Sequence, residues 1–260
     1  MEVLTIVLSA LIGILSPVGF VADRLAEDAI RDQFDSVESL AVRIDNAPNY
    51  QFLQGRADRV RIAGRGLYPI EGVRIDALEV ETDPIDFDLN GLQSGEAALE
   101  RPLQAAIKLV LTEEDINQVL RSPLVMENLQ GLNLDFSGGF SEGYTLTNPQ
   151  LEFLENNRLR FQITLQRSAF AQNQITAESE FAIVSGRQLQ LIDPTVQLDG
   201  EPLPPQLLEF LIGNISQRLD LGNLESSGVT ARILKLEVEG DRLTLVSFVR
   251  VEPGSALLAQ

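Results

Sequence analysis

Residues 59–90, RVRIAGRGLYPIEGVRIDALEVETDPIDFDLN, decide how the chain is read. Val60 and Ile62 alternate with Arg59 and Arg61, and Ile85, Phe87 and Leu89 alternate with Asp86, Asp88 and Asn90. A period of two sends successive side chains to opposite faces of a pleated strand, so these stretches read as half-buried strands. Val73 and Ile75 hold one parity while Leu78 and Val80 hold the other, which predicts a bulge near Ala77 and a bend in the sheet.

The same period extends in both directions. Upstream, Leu40, Val42 and Ile44 alternate with Ala41, Arg43 and Asp45. Downstream it returns in Leu159, Phe161, Ile163 and Leu165, from Ile175 to Ile183, in Leu189 and Leu191, and in Val196 and Leu198. A C-terminal hairpin turns at Glu239-Gly240-Asp241, and Gly138-Gly139 and Asn156-Asn157 read as further turns. Helical signals are fewer. Thr112 with Glu113, Glu114 and Asp115 reads as an N-cap and an acidic first turn, with Ile116, Val119 and Leu120 on one face. Ser122-Pro123 restarts a helix that stops at Gly131. Pro204 and Pro205 precede an apolar ridge of Leu208, Leu211, Ile212, Ile215 and Leu219. The expected fold class is therefore α+β: a curved, mostly antiparallel sheet with long helices packed against it, in one domain over residues 23–253 with a tail at 254–260.

The first 22 residues stand apart. Val3 to Ala22 carry no charge, and 20 helical residues just cross a hydrocarbon core of roughly 30 Å. No Lys or Arg precedes the stretch and no small-residue cleavage site closes it, while Pro17 and Gly19 oppose one smooth span. Residues 18–34 continue as an amphipathic helix with Ala22, Leu25, Ala26, Ala29, Ile30 and Phe34 on one side. An anchor, a signal and a helix packed on the domain all remain open.

Composition narrows the chemistry. The 260 residues contain no Cys, no His and no Trp, with 38 Asp and Glu against 20 Lys and Arg. Thiolate nucleophiles, disulfides, Ser-His-Asp arrangements and Cys- or His-bound zinc are excluded. A formal charge of −18 repels polyanions, so no nucleic-acid partner is expected. Asp86-x-Asp88-x-Asn90-Gly91 opens like a calcium loop, but the twelfth position is Ala97 and the surroundings read as strand, so no metal or other cofactor is expected. Gly64-Arg65-Gly66 lacks the third glycine of a dinucleotide loop, where Pro69 stands. Arg56, Arg59, Arg61 and Arg65 form the one basic run. It reads either as a headgroup or membrane contact, with Arg59 and Arg61 the candidates, or as partners for Glu79, Glu81 and Asp83 across the sheet. Nothing marks a catalytic site, and no enzyme is expected. The apolar excess on several strands fits either a packed core or a groove for acyl chains.

The ordered segments LSPVGFVADRLAEDAI at 15–30, IDNAPNYQFLQGRADRVRIAGRGLYP at 44–69, LEVETDPIDFDL at 78–89, LVLTEEDINQVLRSP at 109–123, NNRLRFQITL at 156–165, RQLQLIDPTVQLDGEPLPPQLLEF at 187–210 and GVTARILKLEV at 228–238 resemble the LmeA-like phospholipid-binding family, in its cyanobacterial type. The resemblance implies a noncatalytic lipid-binding module, similar in architecture to tubular lipid-binding domains, acting in membrane or cell-envelope lipid handling. It carries no functional residue with it. The expected partner is a phospholipid or glycolipid, with membrane contact through the N-terminal segment and a location on the envelope or periplasmic side. Alternation supplies the candidate lining: Phe161, Ile163, Phe181, Leu208, Phe210 and Ile215. A membrane-anchored acidic scaffold with a packed core, binding a protein partner, is the alternative.

Overall fold

Strand pairing follows the alternation in the sequence. The structure, a computed structural model, describes residues 27, 30–45, 55–86, 99–130, 145–168, 171–204 and 220–255. Strands β1 (Ser36–Asp45), β2 (Arg56–Ala57), β3 (Arg59–Ile70), β4 (Val73–Thr82), β5 (Ile85–Asp86) and β6 (Leu103–Thr112) lead to helices α1 (Glu113–Leu120) and α2 (Pro123–Gln130). Strands β7 (Thr145–Leu154), β8 (Arg158–Ser168), β9 (Ala171–Val184), β10 (Gln188–Leu198) and β11 (Glu201–Pro202) follow. A 3₁₀ segment (Leu221–Ser227) then precedes β12 (Val229–Glu239) and β13 (Arg242–Val251). The expected hairpin at Gly240 joins the last two strands, with that glycine at φ 61°.

The strands form a six-stranded sheet in the order β1-β3-β4-β6-β13-β12, a five-stranded sheet β11-β10-β9-β8-β7 and the small pair β2-β5. The chain divides into two compact units. One comprises the residues up to Val110, with Leu221–Lys235 and those from Thr244 onward; the other comprises Leu111–Asp220 with Leu236–Leu243.

This architecture corrects the α+β expectation. Among the described residues the protein is mostly antiparallel sheet, with 68% strand and 13% helix, and the helices are short. Each α-helix spans eight residues, because the Ser122-Pro123 break separates two segments that would otherwise run together. The amphipathic stretch at 205–219, most of that at 18–34, and the turns at Gly138-Gly139 and Gly131 lie outside the described residues.

In the six-stranded sheet, Val42, Ile62, Val80 and Ile107 are paired across four strands and all are buried. The bulge expected at Ala77 is absent there. Register runs unbroken from Arg61↔Glu81 to Leu67↔Ile75 and shifts only between Leu67 and Ile70. The change of parity is made at Gly66, at φ 55°, where a Cβ would run into the Glu38 side chain. Leu67 is thereby laid against Gly64 and becomes fully buried.

In the five-stranded sheet, Asn156 and Asn157 turn the chain between β7 and β8, both at positive φ. Asp199 and Gly200 make a two-residue turn between the paired Leu198 and Glu201. The edge strand β7 is closed by α1. Asn117, buried, donates from Nδ2 to the Leu151 carbonyl and accepts the Leu151 N–H, each at 2.7 Å, so its amide behaves as one residue of a neighbouring strand. Glu113, one helical turn earlier, accepts the Phe153 N–H at 2.7 Å. Thr112 and Asp115 form a reciprocal capping box that starts the helix. The covered side chains of α1 are thus polar, Asp115 and Asn117, while the expected Ile116, Val119 and Leu120 are half-buried.

Candidate functional site

One face of the five-stranded sheet is apolar across all of its long strands. Register aligns Leu146 with Leu165, Leu151 with Phe161, Ala177 and Val196, and Phe153 with Leu159. Ile163 aligns with Ile175 and Leu198, Phe181 with Leu191, and Ile183 with Leu189. Of these only Leu146, Ile163, Leu165 and Phe181 are buried; the rest keep part of their surface open. The opposite face is mainly polar, with Leu154, Ala182, Val184 and Ile192 among its apolar members. It carries the row Gln150–Gln162–Thr176–Gln197 and the row Glu152–Arg160–Glu178. Arg160 bonds both of its acidic neighbours at 2.6 Å, and Glu178 first and Glu152 second hold its guanidinium more firmly protonated than usual.

Two bulges make the apolar face continuous. On β7, register shifts between Thr147 and Gln150, with Asn148 at φ 52° followed by Pro149. On β10 it shifts between Ile192 and Thr195, with Asp193 at φ 45° followed by Pro194. In a simple strand, Leu146 and Leu151 would face opposite sides, as would Leu191 and Val196. One extra residue on each strand restores them to a single face.

The structure brings Phe161 and Ile163 into one cluster with Leu146, Leu165, Ile175 and Leu198. Phe181 lies on the same face, opposite Leu191. Leu208, Phe210 and Ile215 lie outside the described residues. Leu151, Phe153, Val196 and Leu198 were not among the sequence candidates, and the available signal was an Asx-Pro pair interrupting each strand.

The arginine run sits on the six-stranded sheet and its neighbours. Arg59 pairs with Glu81 at 3.1 Å. Arg61 pairs with Asp45, and Arg43 donates to the same carboxylate at 2.9 Å. Hydrogen bonds from Arg61 and then Arg43 hold the Asp45 carboxyl below the usual carboxylate range. Glu79 pairs with Lys108 at 3.1 Å. Asp86, expected on a wet strand face, is instead covered and bound by Arg101 at 2.6 Å and Arg56 at 3.6 Å. Asp88, Asn90 and Ala97 lie outside the described residues. Among the described residues no group of three or more acidic side chains is placed to hold a metal, and no helix is long and apolar enough to cross a membrane. Residues 1–22 fall outside them.

The fold and this face define a class: antiparallel β proteins with an amphipathic sheet whose apolar side is only partly covered. The chain belongs to the LmeA-like phospholipid-binding family, whose model matches residues 15–248. No curated protein and no solved structure matches it.

Proposed function

We propose that the protein is a noncatalytic lipid-binding protein that shields phospholipid or glycolipid acyl chains on the apolar face of the five-stranded sheet. It would take part in lipid handling at a membrane, on the envelope or periplasmic side. The observation that carries this reading is the long apolar face with only four buried members, centred on Phe161, Ile163 and Phe181. Membership of a phospholipid-binding family supports it. Burial of each methylene is worth about 0.8 kcal/mol, so a ten-carbon stretch gains about 8 kcal/mol before ordering costs. That is sufficient without a single polar contact.

Native mass spectrometry of the full chain, purified from a lipid-containing host, tests the reading. Copurifying lipid, lost in Phe161→Asp while the far-UV spectrum is unchanged, is the expected result. Lipid-free protein in repeated preparations, with no uptake from vesicles, overturns it.

A further inference from the structure

The six-stranded sheet carries an unusual charge distribution on the face opposite its buried row. On the neighbouring strands β1 and β3, register puts Arg43 beside Arg61, Asp45 beside Arg59, and Ser39 beside Arg65. Four arginines thus share one face of two adjacent strands with a single carboxylate, in a chain whose formal charge is −18. Glu79 and Glu81 of β4 and Lys108 of β6 continue the face. The side chains of Arg43, Arg59 and Arg61 remain 71%, 51% and 41% exposed despite their ion pairs. A guanidinium has five N–H donors, and the pairs of Arg43 and Arg59 engage one nitrogen each, so both keep donors for further acceptors. Beside them is a depression of about 420 Å³ whose lining includes Ala41, Ala63, Ala106 and Val246, the cations Arg43, Arg61 and Lys108, and the carboxylates Glu79 and Glu81.

We propose that this arginine-bearing face docks the protein onto the anionic headgroups of a bilayer surface. The inference rests on the lipid-handling reading for its choice of partner, but its geometry is independent of the apolar face. A bilayer presents many anions in one plane, and these four arginines are likewise arrayed on one sheet face. The depression admits a headgroup whose phosphate meets Arg43 or Arg61. Because the chain as a whole is acidic, attraction is confined to this patch and is weakened by salt.

The test is flotation of the full chain with neutral phosphatidylcholine vesicles and with vesicles containing roughly one third phosphatidylglycerol, at low and high salt. Expected is binding to the anionic vesicles alone, weakened by salt. Arg43→Gln/Arg59→Gln should lower it by at least about tenfold, while Arg187→Gln/Arg242→Gln, an equal charge change elsewhere, leaves it within about twofold. Circular dichroism confirms that both variants are folded. Equal binding to neutral vesicles, equal losses in the two variants, or an unchanged Arg43/Arg59 variant overturns the proposal. So does arginine-dependent self-association without vesicle binding. Acyl uptake measured on the same preparations separates the two readings: uptake without anion-selective docking sinks only this inference, and docking without uptake sinks only the acyl-binding one.

Discussion

The two large sheets share one binary pattern and use it differently. In the six-stranded sheet the cross-strand row Val42–Ile62–Val80–Ile107 is 9%, 4%, 3% and 7% exposed, a closed core layer. In the five-stranded sheet the row Leu151–Phe161–Ala177–Val196 has no buried member, and Ile163–Ile175–Leu198 has one. Alternation therefore reports which face is apolar and leaves open whether that face is covered. Coverage needs a second layer, and the hydrophobic gain of that layer is available equally from protein side chains and from an acyl chain.

The strongest way to break the contrast is to place the same charge on both faces. Ile62→Asp buries a carboxylate without a partner and should cost about 3–5 kcal/mol or abolish folding. Phe161→Asp, on the half-open face, should keep its thermal transition and lose at least about tenfold in acyl uptake. Thermal circular dichroism of both variants decides, and equal unfolding would erase the distinction.

Next in size is the side chain that closes the β7 edge. Asn117→Ala removes both bonds to Leu151 and should cost about 2 kcal/mol in urea unfolding, with faster amide exchange at Leu151. A change below about 0.5 kcal/mol would mean that water replaces the amide at no cost. The bulges come third. Asn148→Val puts a β-branched side chain at φ 52° and should cost about 1–2 kcal/mol, while Asn148→Gly should not. If the valine variant is as stable as the parent, positive φ at this site is not what holds Leu151 and Phe153 on the apolar face.

The smallest effect belongs to Asp45 on the outer face of the closed sheet. Its carboxyl is depressed by Arg61 and then Arg43, so it stabilises the fold above its unfolded pKa, about 3.9, and that contribution fades as pH falls through the lower folded value. Asp45→Asn should be slightly less stable than the parent at neutral pH, with the gap closing below about pH 4. A gap that persists in acid would assign the effect to packing. Asp199 on the other sheet, held low by Asn173 and then the Gln174 N–H, should behave in the same way.

Much of this was legible locally. The alternation at 40–44, 60–62, 159–165 and 175–183 marks strands because a pleat has a period of two whatever lies beyond it. Asn156-Asn157 and Gly240 mark turns, and Thr112 marks a helix start, because each acts within a few residues. Among the described residues the strand content exceeds what the α+β expectation implied, because strand length is set by partners far away in the chain. Candidates on the apolar face were legible only on β8 and β9. Those on β7 and β10 needed the parity change at Asn148-Pro149 and Asp193-Pro194, where a strand pattern looks broken although the face continues. Asp86 reads as a surface group and Asn117 carries no signal in the sequence, since a charge or amide becomes an interior group only when Arg56 and Arg101, or the backbone of Leu151, are brought to it.

The sequence by itself determined many of the strands and some of their turns, the absence of thiol and imidazole chemistry and the family. All of these rest on covalent composition or on interactions between near neighbours. Only the tertiary structure decided that one apolar face is sealed and the other half-open, that two bulges keep the open face continuous, and that four arginines from two strands share one surface. Those depend on register and on layers built from residues far apart in the chain, which no local pattern specifies.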